Sequence, residues 1–459
     1  MDNGLTAGNT RHFVSSDYLP QRTLSTFDVV CLIAGTVIGA GIFKAPSIVA
    51  GQMGSGMEFL LVWLLGGVIS VIGALCYAEL ATAYPHAGGE YHYISKAFGK
   101  SIAFFYSWAR STVIITGSIA ILAITLGDYM STLYGLGEYS SYIWAMLTIV
   151  FLSMVNLLGI RQGKFAQNLL TIAEFLGVLA IVYAGFSKHQ IASVTDLMHR
   201  QSASSNYGLA MVFVLLTFGG WNEAAYLSAE VKDEKRGLAR SLLLGLGLVT
   251  LMYLLANLAY FSALGLNGMA KSSAVAYDVF TLAFGKESAM FFSVIVIFSC
   301  LNSLNATIIF GARSAFALGR DYSLFAWLGH WHISGNPRNS LVMQMLLALG
   351  VVGLAIWTRQ GFESVVEFTA PVFWFFILLV GVAVIRLRYL QPDVPRPFEV
   401  PLYPLLPLIF IAITAWMLWS SLMYTGAGAW VGVAILACGL IPLAWEYWRY
   451  RPPTILSPD

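Results

Sequence analysis

Apolar runs long enough to cross roughly 30 Å of hydrocarbon recur along nearly the whole chain. This one feature excludes most folds. Lipid offers no water to backbone groups, so each run must satisfy its own N–H and C=O groups, and a helix does that within a single segment. Twelve spans are expected, at about 28–50, 58–83, 101–127, 140–159, 167–187, 207–230, 240–264, 288–316, 340–357, 364–386, 402–422 and 426–447. Composition agrees: 459 residues that are 58% hydrophobic and 10% charged carry too little charge for a water-facing surface. The loops are short, so the chain reads as one all-α bundle without an inserted soluble domain. The first 26 residues are polar, with no short apolar core or cleavage site, so the first span is expected to act as the insertion signal.

Charge gives the expected orientation. With the N-terminus inside, eighteen of the 25 Lys and Arg residues fall on inner segments and five on outer ones. Lys44 and Arg110 lie within spans. That excess predicts two cytoplasmic tails, 1–27 and 448–459, and an integral, multi-pass protein of the plasma membrane, the inner membrane of a bacterium. Cys31, Cys76, Cys300 and Cys438 are scattered through apolar segments, which is neither a disulfide framework nor a zinc pattern. His330 and His332 in GHWH lack further ligands, and no metal or other cofactor is expected.

Two spans carry the signal for function. GTVIGAGIFKAP at 35–46 places three glycines inside the first span, and TFGGWN at 217–222 places two inside the sixth. The breaks are about 180 residues apart, so spans 1–5 would correspond to spans 6–10. An odd number of spans per repeat gives opposite topology, and paired interruptions in inverted halves point to a transporter's binding site. Unwinding frees N–H groups at the start of the outer half-helix and carbonyls at the end of the inner one. That suits a zwitterion: a carboxylate at Gly39, Ala40 and Gly41, and an ammonium at carbonyls near Val37 and Leu216. Close packing of helices is the alternative use of single glycines.

These breaks, with YAELATAYPHAGGEYHYISKAFG at 77–99 and AEVKDEKRGLARSL at 229–242, closely resemble the amino acid–polyamine–organocation superfamily, nearest to the L-type amino acid transporters and their bacterial relatives. The PxxGGxYxYxxxxFG loop is the most specific part, and the resemblance covers about residues 25–390. It implies the leucine-transporter fold: 12 transmembrane helices, an inverted 5+5 repeat over 28–187 and 207–386, broken helices 1 and 6, and two further helices over 402–447. It also implies a small-molecule amino acid as substrate, bound around Val37, Ile38, Gly39, Ala40, Gly41, Leu216, Phe218, Gly219, Trp221 and Asn222. Ala40 stands where relatives often have serine, and Leu216 where they often carry a gating aromatic; Phe218 is expected to cover the site instead. L-type relatives join a heavy chain through a cysteine after the third span. Residues 128–139 (DYMSTLYGLGEY) contain none, so no disulfide-linked heavy chain is expected.

Ionisable residues inside spans are functional candidates. Glu174 occupies the fifth-span position where related transporters often have lysine. It is open to three readings: a salt bridge with Arg110 at similar depth, a proton-coupling carboxylate, or a cation site with Ser299 and Asn302 of the eighth span. Lys44 would meet a substrate carboxylate, snorkel outward or pair with Glu58. Glu223 would select a cationic substrate or pair with a basic residue in the outer vestibule. Glu79 and Glu230, near Arg240 and Lys232, read as inner-gate ion pairs.

The expected activity is secondary transport of amino acids, by exchange or proton symport, with a polyamine or organic-cation carrier as alternative. Nothing matches GxxxxGK[ST], so the chain is not expected to hydrolyse ATP itself. No clustered His, Asp or Glu suggests a membrane enzyme and no filter-like repeat suggests a channel. The partners expected are substrate and membrane lipid, with no nucleic acid.

Overall fold

In a computed structural model, residues 26–39, 41–86, 88–159, 164–187, 193–199, 204–223, 237–330, 336–358, 361–424 and 427–449 are described. Among them the chain is helical throughout, without strands.

The helices, in order, are α1 (Thr26–Val37), α2 (Gly41–Gln52), α3 (Gly56–Ala83), α4 (Gly89–Phe98), α5 (Lys100–Ala109), α6 (Ile115–Leu133), α7 (Ser140–Leu157), α8 (Lys164–Ser187) and α9 (Val194–Met198). They continue with α10 (Tyr207–Thr217), α11 (Gly237–Lys271), α12 (Val275–Phe284), α13 (Lys286–Asp321), α14 (Arg338–Thr358), α15 (Phe362–Leu390), α16 (Leu405–Tyr424), α17 (Ala427–Cys438) and α18 (Leu440–Arg449). A π-helical turn, Arg110–Ile114, joins α5 to α6 as one rod.

Nine helices among the described residues are long and apolar enough to cross a membrane. The predicted first, fifth and sixth spans are not among the nine. The first is α1 plus α2, each of 12 residues, or about 18 Å at 1.5 Å per residue, too short alone for a bilayer core. The sixth begins as α10, 11 residues that stop at Thr217 just before the glycines. The sequence breaks therefore appear as helix ends. The fifth corresponds to α8, whose stretch Thr171–Ser187 forms a shorter apolar helix. Two short helices, α4 and α12, stand where only loops were expected. Each ends at a glycine of positive φ, Gly99 and Gly285, that turns directly into the next long helix.

Helix starts follow local chemistry. Ser55 caps α3 by accepting the Glu58 N–H, while the Glu58 carboxylate accepts the Gly54 N–H at 3.1 Å. The core is aromatic where the broken helices meet the rest: Trp63 of α3, Phe218 and Tyr253 of α11 are fully buried, with ring centroids 5.0–6.3 Å apart. Around this cluster α11 packs on α3, α1 and α2, and α10 packs on α2 and α3.

Candidate functional site

The two helix breaks meet. A side chain at Gly41 would place its Cβ 2.7 Å from Thr217 Cγ2, and one at Gly220 would lie 2.6 Å from the Thr36 carbonyl oxygen. Gly220 also has φ +104°, a region closed to most side chains. Glycine is thus needed in each break because the other break fills the space. One hydroxyl ties the two together: Tyr253 Oη, fully buried, donates to the Val37 carbonyl at 2.7 Å and lies 3.4 Å from that of Thr217. Nothing in the sequence marked Tyr253, since an aromatic in an apolar span looks like core.

Beside this junction lies a cavity of about 230 Å³. Gly35, Thr36, Val37, Gly39 and Gly41 wall it from the first break, and Leu216, Thr217, Gly219, Gly220, Asn222 and Glu223 from the second. Asn302 and Ser303 of α13 close one side, and Ile115, Phe213, Phe362 and Phe373 supply apolar surface. Of the residues expected at the site, the structure brings together Val37, Gly39, Gly41, Leu216, Gly219 and Asn222. Ala40 lies outside the described residues. Ile38, Phe218 and Trp221 do not line this cavity. The turn at Gly219–Gly220 directs Phe218 against Trp63 and Tyr253 instead of over the cavity, and sends Trp221 edge-on to Tyr77 at 5.0 Å.

The backbone groups are partly engaged. The Gly39 N–H donates to the Val37 carbonyl at 2.8 Å, so that carbonyl accepts from both Gly39 and Tyr253, and the Leu216 carbonyl accepts the Gly219 N–H at 3.0 Å. Among the described residues no backbone partner is found for the first N–H groups of α2, at Gly41 and Ile42, or for the α1 carbonyls of Gly35 and Thr36.

A charged cluster forms one end of the cavity, from Arg110 and Glu223, which were expected in separate roles, and from Glu90. The π turn carries Arg110, whose Nη2 donates to both oxygens of Glu223 at 2.8 and 2.9 Å. Its Nε donates to Ser314 at 2.9 Å, and Nη1 lies 3.3 Å from Tyr106 Oη and 3.5 Å from Glu90. Glu90, the acidic residue of the GGEYHY segment, also accepts from Tyr77 at 2.6 Å, from Asn222 at 3.1 Å and from Tyr106. The salt bridge envisaged between Arg110 and Glu174 does not form, because α8 and the π turn approach α13 at different levels. Glu223 is the partner, and Glu90, unmarked in the sequence, completes the group.

Glu174 sits elsewhere, 1% exposed, near the start of the first break. There α8 presses Thr171 against Gly35, leaving only 2.6 Å between Thr171 Oγ1 and a Cβ built on that glycine. Its Oε1 accepts a long 3.3 Å bond from Asn302. Glu174 Oε2, Asn302 Oδ1, Ser299 Oγ and Ser303 Oγ are buried with no hydrogen-bond partner among the described residues.

The remaining charges are corrected by geometry. Lys44 reaches Asp128 at 2.8 Å and the Ser273 carbonyl at 3.0 Å rather than Glu58, because α2 turns that face toward α6 and the α11–α12 connection. Glu79 does not meet Arg240. It accepts two 2.6 Å bonds from Arg388 and one of 2.7 Å from the Val400 N–H, with Arg396 at 3.6 Å, so it clamps the chain beyond α15 onto α3. Glu230 and Lys232 lie outside the described residues. Among those described, no group of three or more His, Cys, Asp or Glu is placed to hold a metal.

A family model described as "Amino acid permease" matches residues 24–440. The chain is 27% identical to the b(0,+)-type amino acid transporter 1 of Rattus norvegicus over 92% of its own length and 87% of the relative's. It is 27% identical to the cystine/glutamate transporter of Homo sapiens over 89% and 82%, and 28% identical to the serine/threonine exchanger SteT of Bacillus subtilis (strain 168) over 92% and 95%.

Proposed function

Since the chain belongs to the amino acid permease family, we propose that it is a secondary transporter carrying amino acids across the plasma membrane by alternating access. One observation carries the reading at the site: a cavity walled by both helix breaks, where N–H groups of α2 and carbonyls of α1 have no backbone partner among the described residues. The substrate carboxylate binds the first turn of α2 at Gly41, and its ammonium the carbonyls of Gly35 and Thr36. Gly39, Leu216, Gly219 and Asn222 shape the surrounding wall. In this proposal the chain adopts the leucine-transporter architecture, with inverted repeats over 28–187 and 207–386, helices over 402–447, and both tails cytoplasmic.

The relatives' names cover different substrates, so neither the amino acid nor the coupling mode is inherited from them. For coupling, Glu174 Oε2 and the Oδ1 of its neighbour Asn302, both buried without a hydrogen-bond partner among the described residues, support a proton site. A proton on the carboxyl removes a buried charge and turns Glu174 into a donor for an acceptor such as Asn302 Oδ1, and it sits beside the break that binds substrate. Loading the substrate moves that break and thereby changes the setting of the carboxyl.

The test is uptake of radiolabelled amino acids into proteoliposomes, with and without an inward pH gradient and with unlabelled amino acid inside. Pure exchange independent of pH would remove Glu174 from the coupling. Gradient-driven uptake that is lost in Glu174→Gln, while exchange persists, is the expected result. Dependence on sodium in place of pH would make the same oxygens a cation site.

A further inference from the structure

The charged end of the cavity bears on substrate choice, an inference that rests on the transport reading above. Arg110, Glu90 and Glu223 are the charged side chains that line the cavity among the described residues. They differ in how far their bonding is spent. Arg110 directs all three of its nitrogens into protein acceptors and its side chain is 4% exposed. Glu90 receives Tyr77 and Asn222 on one oxygen and Tyr106 and Arg110 on the other, and is 3% exposed. Among the described residues Glu223 receives a single nitrogen, Arg110 Nη2, which bridges its two oxygens, and its side chain is 22% exposed.

A carboxylate has about four acceptor positions, and a guanidinium fills it best as a two-nitrogen fork. Among the described residues Glu223 is held by one nitrogen only, which leaves acceptor capacity on a carboxylate that lines the cavity. An incoming anion meets two carboxylates and a guanidinium whose donors are taken. An incoming cation meets an acceptor that is charged, open and fixed in place. The wall thus favours positive charge and opposes negative charge at the same point.

We propose that Glu223 is a specificity residue that receives the cationic side chain of a basic amino acid, a primary ammonium of lysine or ornithine type, while the helix breaks hold its α-carboxylate and α-ammonium. Arg110 and Glu90 are positioning residues: they fix the Glu223 carboxylate and deny the site to acidic side chains.

Competition against counterflow in proteoliposomes of the full chain tests this, using lysine and ornithine against their neutral isosteres norleucine and norvaline, with glutamate as the acidic probe. The expected result is at least ten-fold stronger competition by the cationic member of each pair, and none by glutamate. In Glu223→Gln the cationic-to-neutral ratio falls toward one, and Glu223→Asp restores part of it. Isosteres that compete as well as lysine and ornithine in the unmodified protein overturn the proposal, and this comparison needs no variant to fold. If neutral amino acids exchange but the cationic ones do not compete, transport stands and this inference fails. If no amino acid shows counterflow with correctly folded protein, the transport reading fails and takes this inference with it.

Discussion

Replacing Gly220 by alanine tests whether the two helix breaks form one unit. At φ +104° a non-glycine backbone costs about 1–3 kcal/mol. The added Cβ would also stand 2.6 Å from the Thr36 carbonyl oxygen and 3.0 Å from its carbon. Those are backbone atoms at the end of α1, so no side chain can swing aside, and overpacking of this kind typically adds about 1–3 kcal/mol. The combined cost is roughly 2–6 kcal/mol, relieved only if the α10 turn moves away from α1. Gly220→Ala should therefore lower the unfolding midpoint of the purified protein and sharply reduce counterflow. Gly247→Ala is the matched control: it lies within α11 with no atom within 4 Å of the new Cβ, and should be neutral or stabilising by up to about 1 kcal/mol. Thermal unfolding followed by intrinsic fluorescence, beside counterflow, reads both. Unaltered midpoint and transport in Gly220→Ala would refute the close contact of the breaks.

Tyr253→Phe removes the hydroxyl shared by the ends of α1 and α10. One neutral hydrogen bond is worth about 1 kcal/mol, so half-saturation for substrate should rise about five-fold, read from the concentration dependence of counterflow. Glu79→Gln leaves Arg388 and Arg396 facing a neutral amide. A buried pair broken on one side costs roughly 3–5 kcal/mol, and the low end is expected because Arg388 keeps some exposure; the unfolding midpoint checks it. In α4, between two long helices, His92 stacks on His86 at 4.2 Å, and burial first, then the charges of His86 and Lys96, hold it down at about 4. The fold accommodates the neutral ring, so stability is full above an unfolded-state value of about 6.5 and falls as pH drops from there toward 4. Amide protection factors across 88–99, which discount the intrinsic slowing of exchange in acid, should fall over that range, and less so in His92→Gln.

How much of the site was legible depends on how each residue signals. Gly39, Gly41 and Gly219 stand out because glycines inside apolar spans oppose helix continuity. Asn222 and Glu223 stand out as polar groups where hydrophobic ones are expected. Tyr253 and Glu90 gave no such signal: a tyrosine in a span reads as core, and a glutamate in a loop reads as solvated. Phe218 misled because it follows the break directly, yet the positive φ of Gly220 belongs to a turn that leaves Phe218 in the aromatic core.

Composition and hydropathy by themselves determined that the chain is a bundle of membrane helices, because lipid permits few other ways to satisfy the backbone. Glycine placement determined where two of those helices stop. Pairing of the buried charges was decided only in three dimensions. Counting along the helices gives Arg110 and Glu174 similar depths, but the structure sets them against α13 at Ser314 and Asn302, twelve residues apart. The π turn aims Arg110 at Glu223 and Glu90, residues 113 and 20 positions away in the sequence, while α8 carries Glu174 to a separate set of oxygens on α13. Ion pairing depends on distances of a few ångströms, which packing of α5, α8, α10 and α13 sets and no spacing along the chain records.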